Sequence, residues 1–229
     1  MLNKDYKIYI IKAIIVFLIF YLGVYFQLIP IKLFNLDLNK ISKTTKVILS
    51  TFSSFMICLV LVIIYFKDLK KDFIKFKNNF LENIDIGFKW WLIGLIIMVI
   101  SNLIFTFVLK FGGANNQKAV QSMIKVLPIA MFINAGILAP ISEELVFRKS
   151  LRDIIDDKLF FVIVSFLFFG GAHVVESAAT FTDYLYIIPY GALGGALAMA
   201  YYESDTIFTS ITLHAFHNII LTILSIIAL

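Results

Sequence analysis

Ala139-Pro-Ile-Ser-Glu143-Glu144-Leu-Val-Phe-Arg148 puts two carboxylates and a guanidinium inside a long apolar segment. Acids and arginines at membrane depth are rare, face the protein interior and mark a functional site by default. On a helix, Glu144 and Arg148 stand four residues apart with the acid N-terminal, so they share a face and can neutralise each other. Glu143 is turned about 100° away and has no partner in its own segment. Its hydrogen bonds must come from elsewhere in the fold, because a buried polar group without them is costly. The simpler alternative is a structural ion pair at a helix end, and the rest of the chain decides between the two.

The 229 residues are 61% hydrophobic and 15% charged, with 24 Phe and a mean hydropathy of +0.94. That composition excludes a soluble domain. Runs of about 20 apolar residues suffice to cross a bilayer, and seven occur, at 8–29, 47–66, 90–109, 128–148, 159–178, 184–202 and 207–229. The fold class expected is therefore all-α, a polytopic membrane bundle of about seven transmembrane helices. It forms a single integral membrane domain over 1–229, with N-terminal transmembrane helices in 1–109 and a catalytic helical core in 128–229. The first run is too long for a signal-peptide apolar region and has no small-x-small cleavage site, so it reads as a retained helix.

The net charge of +5 comes from lysines in the loops, and no aromatic platform accompanies them. The lipid bilayer, not nucleic acid, is the partner expected. An N-terminus inside the cell collects thirteen of the twenty Lys and Arg on the cytoplasmic side, including Lys4, Lys7, the 67–89 loop and the 148–158 turn. This bias orients the chain N-in, in the cell membrane. Cys58 is the only cysteine, which rules out an intrachain disulfide and a Cys-based metal site.

In 67–89, Leu69, Phe73, Phe76 and Phe80 recur at helical spacing between lysines, as in a helix lying on the inner leaflet; a solvated loop is the plainer reading. The 110–127 stretch, with Gly112-Gly113-Ala-Asn-Asn-Gln-Lys118, reads as a flexible outer loop. Gly191, Gly194, Gly195 and Ala198 let helices approach closely, which makes the sixth run central, with Pro189 as a possible kink.

Glu143 and His173 are each fifteen residues from residue 158, the midpoint of the turn between them, so an antiparallel pair holds them at matching depth, about 22 Å along each helix. The last run starts at the same end, with His214 seven residues in and Asn218 one turn further on the same face. Three helices can thus bring a carboxylate, two imidazoles and a carboxamide together. Such a set supports hydrolysis. Glu143 and His173 would take a proton from attacking water, His214 and Asn218 would donate to the oxyanion, and Glu144 with Arg148 would support the electrostatics.

These residues stand as Glu143-Glu144-x-x-x-Arg148, Phe169-x-x-x-His173 and His214-x-x-x-Asn218. In kind and order they resemble the three motifs of the CAAX-protease and bacteriocin-processing (CPBP, or Abi) intramembrane peptidases, over roughly residues 130–220. The resemblance implies a helical intramembrane protease fold, with Glu143 and His173 activating water and His214 and Asn218 stabilising the oxyanion. It also carries the label of metallopeptidase. Glu143, His173 and His214 are a possible zinc set, but there is no His-Glu-x-x-His, and the same side chains suffice for a metal-free water mechanism.

Other polar and aromatic residues have plainer readings. Phe169 reads as packing beside His173. His217, three residues from His214, reads as structural and facing elsewhere, and Glu176 as an outer-interface residue. Trp90, Trp91, Tyr184 and Tyr186 read as interfacial anchors. The expected activity is endopeptidase cleavage of a membrane-associated peptide or protein, such as a bacteriocin or pheromone precursor or a CAAX-type substrate, in a pocket reached from the cytoplasm. The Ile, Lys, Phe and Asn bias points to a bacterial source. The rivals are a non-catalytic scaffold or self-immunity protein that keeps the fold, and a small transporter, whose usual repeat or paired broken helices are absent.

Overall fold

In lipid, a backbone must satisfy its own hydrogen bonds, and a helix does so within one segment. The computed structural model describes residues 6–228, and all the regular structure there is helical. Lys4 and Leu229 fall outside the described residues. Five helices are long and apolar enough to cross a membrane: α1 Tyr6–Leu33, α2 Lys43–Asn78, α3 Phe80–Val108, α5 Pro128–Arg152 and α8 Ile207–Ile227. Between them lie α4 Asn115–Val126, the apolar but shorter α6 Lys158–Val174 and the buried α7 Ile187–Ser204. Each of the seven apolar runs thus contributes a helix, and α4 is an addition.

Helix starts follow local chemistry. Ser42 Oγ accepts from the Thr45 amide at 3.0 Å, and Asp157 Oδ1 accepts from the Phe160 amide at 2.7 Å, each satisfying an N–H that the first turn leaves free.

The 67–89 segment is not a separate surface helix. It is the end of α2 and the start of α3, broken only at Asn79. With 36 residues, α2 is about 54 Å long, so it outruns a hydrocarbon core of about 30 Å. The apolar stripe meets α8 instead of a leaflet: the Phe73 and Phe76 rings lie 5.4 and 6.0 Å from Phe208. Lys75 and Asp205 pair here at 2.7 Å, and Asp72 accepts from the Ile207 amide. The 67–89 hairpin, Asp156 and the α7–α8 turn therefore sit at one end of the bundle with Tyr6, which hydrogen-bonds Asp156.

At the opposite end, most of the expected flexible loop is helix α4, and only the stretch around Lys110 to Gly113 is irregular, with positive φ at both of those residues. Asn115 anchors it by donating to Ser177 O at 3.1 Å.

The sixth run is central, as its small residues require: α7 packs chiefly against α3 and α6, and Leu197, Ala198 and Ala200 are fully buried. A Cβ on Gly194 would lie 2.9 Å from Phe169 Cβ, so only glycine permits this approach. Pro189 falls in the first turn of α7, where its missing N–H removes no helical bond.

Candidate active site

Pro140 sets the local geometry of α5. Ala139–Glu144 is regular helix bracketed by π-helical turns at Asn134–Leu138 and Leu145–Lys149, and such turns recur at functional sites. In the first, the Ala139 amide donates to Asn134 O, one residue beyond the α-helical partner. Ala135 O thereby loses its normal donor, and the next residue, Pro140, has no N–H to offer. Asn218 Nδ2 supplies the bond from α8, at 2.9 Å. A proline on one helix thus fixes the carboxamide of another.

The second glutamate and the arginine are buried to 0% exposure. Arg148 Nη1 lies 3.0 Å from Glu144 Oε1, its Nη2 donates to Gly194 O at 3.0 Å, and its guanidinium covers the Phe169 ring at 4.3 Å. Glu144 does more than neutralise Arg148. Its Oε1 is also 2.8 Å from His214 Nδ1, so it holds that ring.

His173 Nδ1 is 2.8 Å from Phe169 O. A carbonyl and a carboxylate paired to Arg148 only accept, so Nδ1 carries the proton in both imidazoles. Both Nε2 atoms then face one oxygen: Glu143 Oε2 is 3.7 Å from His173 Nε2 and 3.7 Å from His214 Nε2. That oxygen is buried with no hydrogen-bond partner among the described residues. Glu143, His173, His214 and Asn218 line one cavity of about 560 Å³. Phe169 joins the parts, with its ring 4.4 Å from His173 and 5.5 Å from His214.

Several residues differ from their sequence readings. His217 does not face elsewhere; it lines the cavity and accepts from Trp91 Nε1 at 3.4 Å. Trp91 and Tyr186 are buried and so are not interfacial anchors. Glu176 keeps its reading as a surface residue: it is exposed, and His173 Nδ1 pairs with Phe169 O. Tyr190, which no motif singled out, stacks on His173 at 4.8 Å and 25°. The cavity wall includes Gly113, Asn116 and Gln117, so it extends toward the end of the bundle opposite the lysine-rich hairpin. Under the N-in orientation that is the outer side, not the cytoplasmic one.

Among the described residues, no group of three or more His, Cys, Asp or Glu is arranged to hold a metal ion.

Residues 125–220 match the family model described as "Type II CAAX prenyl endopeptidase Rce1-like", which bears out the resemblance read from the three motifs. The chain is 27% identical over 179 residues to "Putative membrane peptidase YdiL" of Bacillus subtilis (strain 168), covering 75% of this chain and 69% of that relative. It is 26% identical over 167 residues to "UPF0177 protein YxdF" of Lactococcus lactis subsp. lactis (strain IL1403), covering 70% and 89%. A Mycoplasma capricolum protein named only "Uncharacterized protein" is 28% identical over 192 residues, and the alignment covers 74% of this chain and 54% of that one. No solved structure matches. With its apolar helices and this similarity, the chain is a multi-pass membrane protein.

Proposed function

Proceeding from the match of residues 125–220 to the Rce1-like peptidase family, we propose that the chain is an intramembrane endopeptidase of the cell membrane. Its substrate is a membrane-associated peptide or protein, a class that takes in the bacteriocin, pheromone and CAAX-type precursors named above. The observation that carries this reading is the approach of two imidazole Nε2 atoms to one buried carboxylate oxygen at 3.7 Å each.

Neutral His173, with its proton on Nδ1, presents a lone pair at Nε2, and Glu143 Oε2 presents another. Two acceptors facing each other need a proton donor between them, and water fills that role. In the proposed reaction, water held by Glu143 and His173 attacks the peptide carbonyl as one of its protons passes to Glu143. The new C–O bond forms while the carbonyl pair moves onto oxygen. His214 and Asn218 donate to that oxyanion: Asn218 through the Nδ2 hydrogen not given to Ala135, and His214 through Nε2–H in its protonated form. Protonated His214 also balances the buried charge, because Glu143, Glu144, Arg148 and an imidazolium sum to zero. Collapse breaks the C–N bond, and the proton on Glu143 passes to the leaving amine.

The test is cleavage of membrane peptides by purified protein in lipid, comparing wild type with Glu143→Ala and His173→Ala. The reading expects activity only in wild type; equal residual activity in all three would favour the scaffold or self-immunity role.

A further inference from the structure

His217 belongs to none of the three motifs, yet it lines the same cavity as Glu143, His173, His214 and Asn218. Its ring is fixed from α3: Trp91 Nε1 donates to its Nδ1 at 3.4 Å, and the two rings meet edge to face at 6.3 Å and 70°. An indole N–H only donates, so Nδ1 of His217 holds a lone pair, the imidazole is neutral and its proton stands on Nε2. That is the reverse of His173, whose proton stands on Nδ1, facing Phe169 O. No described residue accepts from His217 Nε2, and this nitrogen is not among the polar atoms sealed in the interior without a partner. It therefore opens on the cavity.

The acceptor for this N–H comes with whatever fills the cavity. Leu221, one turn further along α8, and Met98, two turns beyond Trp91 on α3, share the wall and offer no side-chain oxygen. His217 stands three residues after His214 and one before Asn218, so about one turn of α8 carries the two proposed oxyanion donors and a third donor turned aside from them. A peptide whose scissile carbonyl lies at His214 and Asn218 brings further carbonyls with it, one about every 3.3 Å of extended chain. A neutral donor serves such a carbonyl without adding buried charge.

We infer that His217 is a substrate-binding residue whose Nε2–H donates to a main-chain carbonyl flanking the scissile bond, and that Trp91 is the positioning residue that keeps the proton on that nitrogen. This inference rests on the peptidase reading and gives its site a donor outside the three motifs. A bond to a flanking carbonyl is made in the ground state and the transition state alike, so its loss raises KM and leaves kcat nearly unchanged.

The test uses the full chain in lipid and has a spectroscopic and a kinetic arm. The chain has three histidines, so ring-¹⁵N labelling gives signals that single variants assign. His217 should show a protonated Nε2 and a bare Nδ1, and Trp91→Phe should mix the two tautomers. Adding an N-acetylated peptide of Leu, Val and Ala to the Glu143→Gln protein should shift the His217 Nε2 signal. In the kinetic arm, His217→Phe should raise KM for membrane-peptide cleavage by about tenfold, the scale of one net hydrogen bond, with kcat nearly unchanged, and His217→Gln, which keeps a donor, should recover most of that. Because His217→Phe alone strands the Trp91 N–H, it is also made in the Trp91→Phe background, where neither ring leaves a partner unpaired. A proton on His217 Nδ1, no shift of its Nε2 with peptide, an unchanged KM in the double variant, or Gln no better than Phe would overturn the inference. The expected tautomer and peptide shift with no cleavage by wild type would sustain the donor and count against the peptidase reading alone.

Discussion

Glu144 Oε1 lies 2.8 Å from His214 Nδ1, across seventy residues of chain and between two different helices. One carboxylate therefore serves both Arg148 and the imidazole, and Glu144 and Arg148 have no exposed side-chain surface. Glu144→Gln should keep the side chain's shape but lose the charge that holds both partners, lowering cleavage by about 10²-fold through the loss of an oriented donor. Glu144→Ala leaves Arg148 buried and unpaired and should cost about 3–5 kcal/mol of stability. Thermal unfolding in detergent, run beside the cleavage assay, separates the two effects; an unaltered rate in Glu144→Gln would mean that His214 does not depend on this contact.

Asn218→Ala removes a proposed oxyanion donor and should lower kcat by about 10²–10³-fold. It also strips the bond from Ala135 O, the carbonyl that Pro140 leaves without a helical partner, at a cost of about 1–3 kcal/mol. Pro140→Ala supplies the missing amide and should let that carbonyl bond within α5. The check is whether the Pro140→Ala background reduces the stability cost of Asn218→Ala in a double-mutant cycle.

Gly194→Ala puts a methyl group 2.9 Å from Phe169 Cβ, at the ring that touches His173, His214 and Arg148. Overpacking of this kind costs about 1–3 kcal/mol. The variant should lose both stability and cleavage, whereas Gly171→Ala, whose Cβ would meet nothing within 4 Å, should lose neither. Equal behaviour of the two glycines would contradict the packing argument.

Asp183 lies outside the spanning helices and accepts from the Ala179 and Thr180 amides at 2.8 Å each. Those N–H groups hold its carboxyl below the usual carboxylate value. A depressed folded value means that its contribution is complete above the unfolded pKa, about 4, and is lost as pH falls through the lower folded value. Protease sensitivity of the 175–186 segment should rise in acid for wild type. In Asp183→Asn it should be high and pH-independent.

Treatment with a zinc chelator should leave cleavage intact, because the proposed steps use only side chains and water. Loss of activity restored by added zinc would instead make Glu143, His173 and His214 ligands and require their rearrangement.

The sequence by itself determined the class of fold and the members of the site. Runs of apolar residues can only be helices in lipid, because no other single segment satisfies its own backbone there. Glu143, Glu144, Arg148, His173, His214 and Asn218 stood out because polar groups at that depth are costly unless they meet. Tertiary structure alone decided which atoms meet. Glu144 turns to His214 and Asn218 to Ala135, pairings across 70 and 83 residues that no helical periodicity encodes. It also decided the course of 67–89, whose alternation of Phe and Lys fits a leaflet as well as a neighbouring helix until Phe208 is seen beneath it. The folding of α4 into the cavity wall was hidden for the same reason: local composition gives a segment's polarity, but burial depends on what packs against it.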